Sequence, residues 1–147
     1  MITRKASVAD LTQLASLFEA YRLFYKMPPD AVGAEAFIRN RLTQNDSEIF
    51  VADADGVLAG FVQLYPLFSS TRMKRLWLLN DLYVDQKFRG HGVSKLLIDA
   101  SKSLCVETGA CALMLETAKS NTIANQLYVA TGFELDGSHN YYEWTAP

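Results

Sequence analysis

The sequence predicts a mixed α/β domain, with hairpins first, a βαβ unit in the centre and helices on the flanks. Three observations carry this. Two apolar runs, residues 48–53 and 57–64, are separated only by the turn sequence Asp53-Ala54-Asp55-Gly56, which reads as a hairpin. A third apolar run, 76–84, leads through a short basic loop with two glycines into an amphipathic segment, and a further apolar run follows at 111–117. The chain has 147 residues, half of them hydrophobic, which suits one domain over 1–147.

Taken in order, residues 2–5 form a short first strand. Ser7 opens a helix, with Asp10 three residues on as a variant capping box. Leu11, Leu14, Leu17 (or Phe18) and Tyr21 recur at helical spacing, and the helix fades before Pro28. A second helix fits 34–42, with Phe37, Ile38 and Leu42 on one side. After the hairpin, 66–74 reads as a loop opening at Pro66. The run 76–84 is too apolar for an edge strand. The helix after the glycines extends to about Glu107 on a stripe of Val93, Leu96, Leu97, Ala100 and Leu104, and Gly109 stops it. Residues 111–117 form the strand that closes the βαβ unit. A last helix spans 121–130, and two short strands, 133–135 and 140–144, turn on Asp136-Gly137.

Composition excludes several classes. The formal net charge is -2, against the basic face that nucleic acid demands, so no nucleic-acid partner is expected. No apolar run approaches the ~18 residues of a membrane span, and the charged N-terminus has no apolar run behind it, so neither membrane nor secretory signal is expected. Cys105 and Cys111 have no metal-ligand spacing and only His91 and His139 to assist them. They read as thiols of a reducing, cytoplasmic compartment, with no metal site.

The glycine loop holds the chemistry. Gly90 and Gly92 stand at the start of a good helix, where each costs about 1 kcal/mol relative to Ala. A helix N-terminus leaves backbone N–H groups unpaired and carries partial positive charge, which suits a diphosphate. Lys87, Arg89 and Lys95 add charge. A plain tight turn is the alternative. A dinucleotide fingerprint needs a third glycine where Lys95 stands, and no Gly-Lys-Ser/Thr is present for a P-loop.

Lys87-Phe88-Arg89-Gly90-His91-Gly92 resembles the Q/R-x-x-G-x-G/A signature of the GCN5-related N-acetyltransferase (GNAT) superfamily, with Lys87 in place of the usual Gln or Arg. Asn121-Thr122-Ile123-Ala124-Asn125-Gln126-Leu127-Tyr128, followed by Gly132-Phe133, resembles the family's N-x-x-A-x-x-L-Y…G-F segment. The element order matches over essentially the whole chain, and the sequence is similar to the branch that acetylates small amines, amino acids and basic proteins. The resemblance implies a mostly antiparallel sheet with a splayed parallel pair at its centre, acetyl-CoA as cofactor, and acetyl transfer, by direct attack on the thioester, to the primary amine of a small molecule: an amino acid, a polyamine or a related amine.

It also implies the site. Backbone N–H groups of Arg89, Gly90, His91, Gly92, Val93 and Ser94 would hold the diphosphate. The pantetheine arm would lie along Leu82, Tyr83 and Val84, with Asn121 also on the cofactor side and an N–H near Leu82 facing the thioester carbonyl. Tyr128 would return a proton to the leaving sulfur. For the base, Asn80 and Asp81 interrupt an apolar strand, where a polar group needs a reason. Being adjacent, they point to opposite faces, so Asp81 serves only if a bulge or splay turns it to the cleft. Glu116 is the other candidate. Tyr21 and Tyr25, beside Phe24, would meet the acceptor with Asn80, since aromatic faces attract cations. The aromatic tail "NYYEW" suggests a homodimer. A protein-lysine or N-terminal acetyltransferase and a non-catalytic CoA-binding module remain alternatives.

Overall fold

A computed structural model describes all residues, 1–147. Five strands form one sheet in the order β1-β2-β3-β4-β5: β1 Ile2–Lys5, β2 Glu48–Ala54, β3 Val57–Ser69, β4 Lys74–Val84 and β5 Leu113–Met114. The first three junctions are antiparallel and β4 pairs with β5 in parallel. The mixed, mostly antiparallel sheet with one parallel pair, expected from sequence, is therefore present. The helices are α1 Leu11–Phe24, α2 Ala31–Gln44, α3 Val93–Glu107 and α4 Thr122–Ala130. The chain divides into two compact units, Met1–Glu116 and Thr117–Pro147, each described on its own.

In the first unit, Ser7 and Asp10 form the capping box, followed by one 3-10 turn before α1. Arg4 in β1 ties this start to the sheet. Its guanidinium donates to Asp10 at 2.7 Å and to Asp53 in β2 at 2.9 Å. The Arg4 bond first, and the Ser7 N–H behind it, hold the Asp10 carboxyl down at about 2. Leu11, Leu14, Leu17 and Phe18 of α1 join Ala34 and Ile38 of α2 over Val51 and Phe61 of the sheet. Val62, the next residue along β3, points to the alternate face, where α3 packs with Val93, Leu97, Ile98 and Leu104 buried. The α3 stripe differs from expectation by one step. Ile98 and Ser101 are buried, whereas Leu96 is exposed.

Three expectations need correction. Residues 66–69 and Lys74 are not loop: β3 continues through Pro66, which pairs with Trp77, and β4 begins at Lys74. Pairing with β2 ends at Leu64, so the missing proline donor falls where β3 has only one neighbour. The strand expected over 111–117 is ladder-paired only at Leu113–Met114, opposite Trp77 and Leu78. The two strands expected over 133–135 and 140–144 do not form. A strand exists by its ladder, and no strand of the sheet pairs with these residues. The turn between them survives: Asp136 accepts from the Ser138 N–H at 2.8 Å and meets His139 at 2.7 Å.

Candidate active site

The site is built on a fault in β4. Gln63 pairs with Asp81 and Leu64 with Leu79, so Asn80 is one residue too many, a β-bulge. Its first effect is on side chains. Asn80 and Asp81, which a regular strand would send to opposite faces, line one cavity of about 290 Å³. Phe18, Tyr21 and Tyr25 of the α1 region, with Met27 and Phe37, make the helical wall, and Tyr65 of β3 joins the sheet wall.

The second effect is on the backbone. Trp77 donates its N–H to Ala112 on the β5 side at 3.0 Å, and Asp85 donates to Ala59 on the β3 side at 2.9 Å. Both are odd-numbered, and in an unbroken strand both would address the same neighbour. The surplus residue reconciles them. Beyond it, Leu82 and Val84 turn their backbone groups toward the β5 side, where the ladder stops at Leu78. Along 79–84 this side of β4 therefore carries no ladder pairing.

Asp81 is 5 % exposed, yet both carboxylate oxygens are satisfied. Gln63 Nε2 donates to Oδ2 at 2.8 Å and Asn80 Nδ2 to Oδ1 at 3.1 Å. Gln63 is held in turn by the Ser47 hydroxyl at 2.9 Å. The Tyr21 hydroxyl reaches Asp81 and lies 3.4 Å from the Asn80 carbonyl oxygen. Burial pushes the Asp81 carboxyl above the usual carboxylate range, and the bonds from Gln63, Tyr21 and Asn80 offset only part of that rise. Tyr65 is pushed up to about 12, by burial first and by the Asp81 charge second.

At the end of β4, Gly90 and Gly92 adopt φ of +79° and +76°, left-handed values that favour glycine. A Cβ at either would meet nothing within 4 Å, so open space lies before the loop. Leu96 is bonded to the Gly92 carbonyl at 3.1 Å, and the N–H groups ahead of it precede the first intrahelical bond. Val93 is buried and Ser94 half-buried behind this opening. The loop therefore fits a diphosphate. His91 Nδ1 contacts the carbonyls of Phe88 and Arg89 at 3.3 and 2.9 Å, which keeps its side chain on the loop. Arg89 folds back: its Nε donates to the Val84 carbonyl at 3.1 Å and its guanidinium lies over the rings of Tyr83 and Phe24. Lys95 is tied to Asp99 at 2.6 Å.

The structure thus brings Tyr21, Tyr25, Asn80 and Asp81 together around one cavity, with Leu82, Tyr83 and Val84 continuing the same strand toward the loop of 89–94. Glu116 is exposed, two residues beyond β5, and does not line the cavity. In the second unit, Asn121 caps α4, its Oδ1 accepting the Ala124 N–H at 3.2 Å. Tyr128 is half-buried with its ring on Phe133, centroids 5.6 Å apart. Gln63, Ser47 and Tyr65 are additions that sequence reasoning missed. Only strand register places Gln63 opposite Asp81.

Comparison with known proteins points one way. The family model for the acetyltransferase (GNAT) family matches residues 14–133. The chain is 40% identical over 147 residues to the uncharacterized N-acetyltransferase YhfO of Bacillus subtilis, covering 100% of this chain and 99% of that protein. It is 31% identical over 88 residues to an aminoglycoside N(6')-acetyltransferase type 1 of Salmonella typhimurium, covering 58% of this chain and 61% of that one. A crystal structure of a probable acetyltransferase superposes with a TM-score of 0.95 at 36% identity, covering 100% of this chain and 99% of the other.

Proposed function

Because the chain belongs to the acetyltransferase (GNAT) family and is an acetyltransferase, we propose that it moves an acetyl group from acetyl-CoA to the primary amine of a small molecule, with Asp81 taking the proton from the attacking nitrogen. One observation carries this reading: a buried, hydrogen-bonded carboxyl stands at a strand bulge, on the wall of an aromatic-lined cavity, in the strand that leads to the glycine loop.

Bound acetyl-CoA supplies an activated thioester, whose carbonyl carbon accepts the nitrogen lone pair as the C–S bond breaks. The N–H groups of Arg89, Gly90, His91, Gly92, Val93 and Ser94 would hold its diphosphate. The backbones of Leu82 and Val84 would hold its arm, with Tyr83 between them, and the resemblance adds Asn121 to the cofactor contacts. Arg89 would have to release the Val84 carbonyl that it now occupies.

An alkylammonium has a pKa of about 10.4 and cannot attack until it loses a proton. A carboxyl lifted by burial is a better-matched acceptor than an ordinary one. Asn80, donating to Asp81 Oδ1, and Gln63, donating to Oδ2, fix the carboxyl plane. The resemblance assigns the return proton, from phenol to leaving sulfur, to Tyr128. The products are the N-acetylated amine and the free thiol.

The aminoglycoside acetyltransferase among the relatives supports a small-molecule amine over a protein acceptor. We also assign the chain to the cytoplasm, on its two free cysteines; separately, no helix is long and apolar enough to cross a membrane. We assign it a homodimeric state on its exposed aromatic tail.

The test is Asp81→Asn in a thiol-release assay with acetyl-CoA and a panel of amines. The variant is expected to lose about 10²–10⁴-fold in kcat, the usual worth of a positioned base. It should keep its acetyl-CoA affinity by titration and lose the rising limb of the kcat–pH profile. An unchanged kcat or an unchanged profile removes Asp81 from the reaction.

A further inference from the structure

We infer that the acceptor is a primary amine on a compact apolar body of about one ring, an arylalkylamine, and not a polyamine or a polyhydroxylated aminosugar. This rests on reading the cavity beside Asp81 as the acceptor site.

The walls argue for the ring. Five aromatic side chains, Phe18, Tyr21, Tyr25, Phe37 and Tyr65, line the cavity, with Met27 at its side. They are mutually braced. Phe18 stacks on Phe37 at 5.4 Å, and Tyr21 meets Tyr25 edge-to-face at 5.0 Å. Such rings offer faces to an aromatic guest and attract a single ammonium at its tip. The volume, about 290 Å³, is at the lower end of the ~300–1,000 Å³ range for small-molecule sites.

The charges argue against a polycation. Asp81 is the one acid on the lining, and Arg22 is a cation on the same lining. A second or third ammonium would find no further carboxylate on the lining. Arg22 is itself neutralised by Glu19 at 2.7 Å, and Glu19 also accepts the Asp30 N–H at 2.6 Å. An acceptor carboxylate therefore finds no unpaired counter-ion. Hydroxyl groups fare no better, since several of them at once would meet mostly ring faces on this wall, with only scattered tyrosine hydroxyls and the Asn80 amide between. Sugar hydroxyls buried here would lose water without full replacement.

The experiment compares kcat/KM for 2-phenylethylamine, L-phenylalanine, spermidine and kanamycin A, with isothermal titration of 2-phenylethylamine into the wild type, Phe37→Ser and Phe37→Leu. The first amine is expected to exceed each of the others by about ten-fold or more. Phe37→Ser is expected to weaken its binding about ten-fold, with Phe37→Leu recovering most of that loss. Equal or better turnover of spermidine, kanamycin A or L-phenylalanine overturns the apolar class and leaves acetyl transfer at Asp81 standing. Binding of 2-phenylethylamine that Phe37→Ser weakens, without thiol release from any amine, keeps the apolar class and overturns the role of Asp81. Absence of both overturns the two together.

Discussion

A carboxyl group in the middle of a sheet is an expense that this chain meets with a glutamine. Gln63 is fully buried, bonds Asp81 on one side and takes the Ser47 hydroxyl on the other. In the sequence Asn80 and Asp81 stand out because they interrupt an apolar run. Gln63 does not, because a lone glutamine in a strand looks like a solvent-facing residue and only register reveals its partner. The raised folded-state pKa of Asp81 has a definite sign for stability. The native state holds the proton to higher pH than the unfolded chain, so the fold loses stability as pH rises from the unfolded value, about 3.9, through the folded one. Asp81→Asn removes that loss. Its amide can still be satisfied if Gln63 flips, accepting from the new Nδ2 and donating to Ser47 (both partners tolerate the exchange). The variant should therefore melt at a higher temperature than the wild type at pH 7, while near pH 3 the two proteins should coincide. A lower melting temperature for Asp81→Asn at pH 7 would contradict the sign.

At the scale of elements, pairing and backbone approach decide what composition leaves open. The hairpin and the strand–loop–helix of the βαβ unit were legible because turn residues and periodicity marked both ends. The extension of β3 past Pro66 was not, since a proline signals a break unless one side of the strand lacks a neighbour. Gly60 escaped notice for a related reason. Its φ is unexceptional, but a Cβ there would sit 2.5 Å from the Tyr83 carbonyl oxygen and 3.2 Å from Val84 Cα. The side chain it lacks is what lets β3 approach β4 where Leu82 and Val84 face the open edge. Gly60→Ala should cost about 1–3 kcal/mol, as overpacking does. By pushing 83–84 aside it should also raise the acetyl-CoA dissociation constant several-fold. Chemical denaturation and cofactor titration measure the two effects, and a variant with wild-type values for both would show that the close approach is idle.

Over the whole molecule, most of the first unit could be read in advance, whereas the last fifteen residues could not. Their alternation predicts strands, yet Leu135, Tyr141, Tyr142 and Trp144 are exposed, Tyr142 at 91%. Local pattern states a preference, and a ladder partner is needed to realise it. The proposed homodimer rests on this exposed aromatic run. The homodimer proposed above should appear in sedimentation as a two-chain species, and Tyr142→Ser with Trp144→Ser should shift it to monomer. A wild-type protein that stays monomeric at assay concentrations would exclude that assembly. The surplus residue at Asn80 reaches furthest. Amino-acid exchanges along β4 change what the strand carries but never which neighbour its amides address; only a change in length does that. An in-frame loss of the Asn80 codon would restore strict alternation and swing Leu82 and Val84 back toward β3. Such a shortened protein should keep its helical circular dichroism and lose acetyl-CoA binding. Mutational scans by substitution alone would overlook this dependence, whereas a deletion scan would find it in one step.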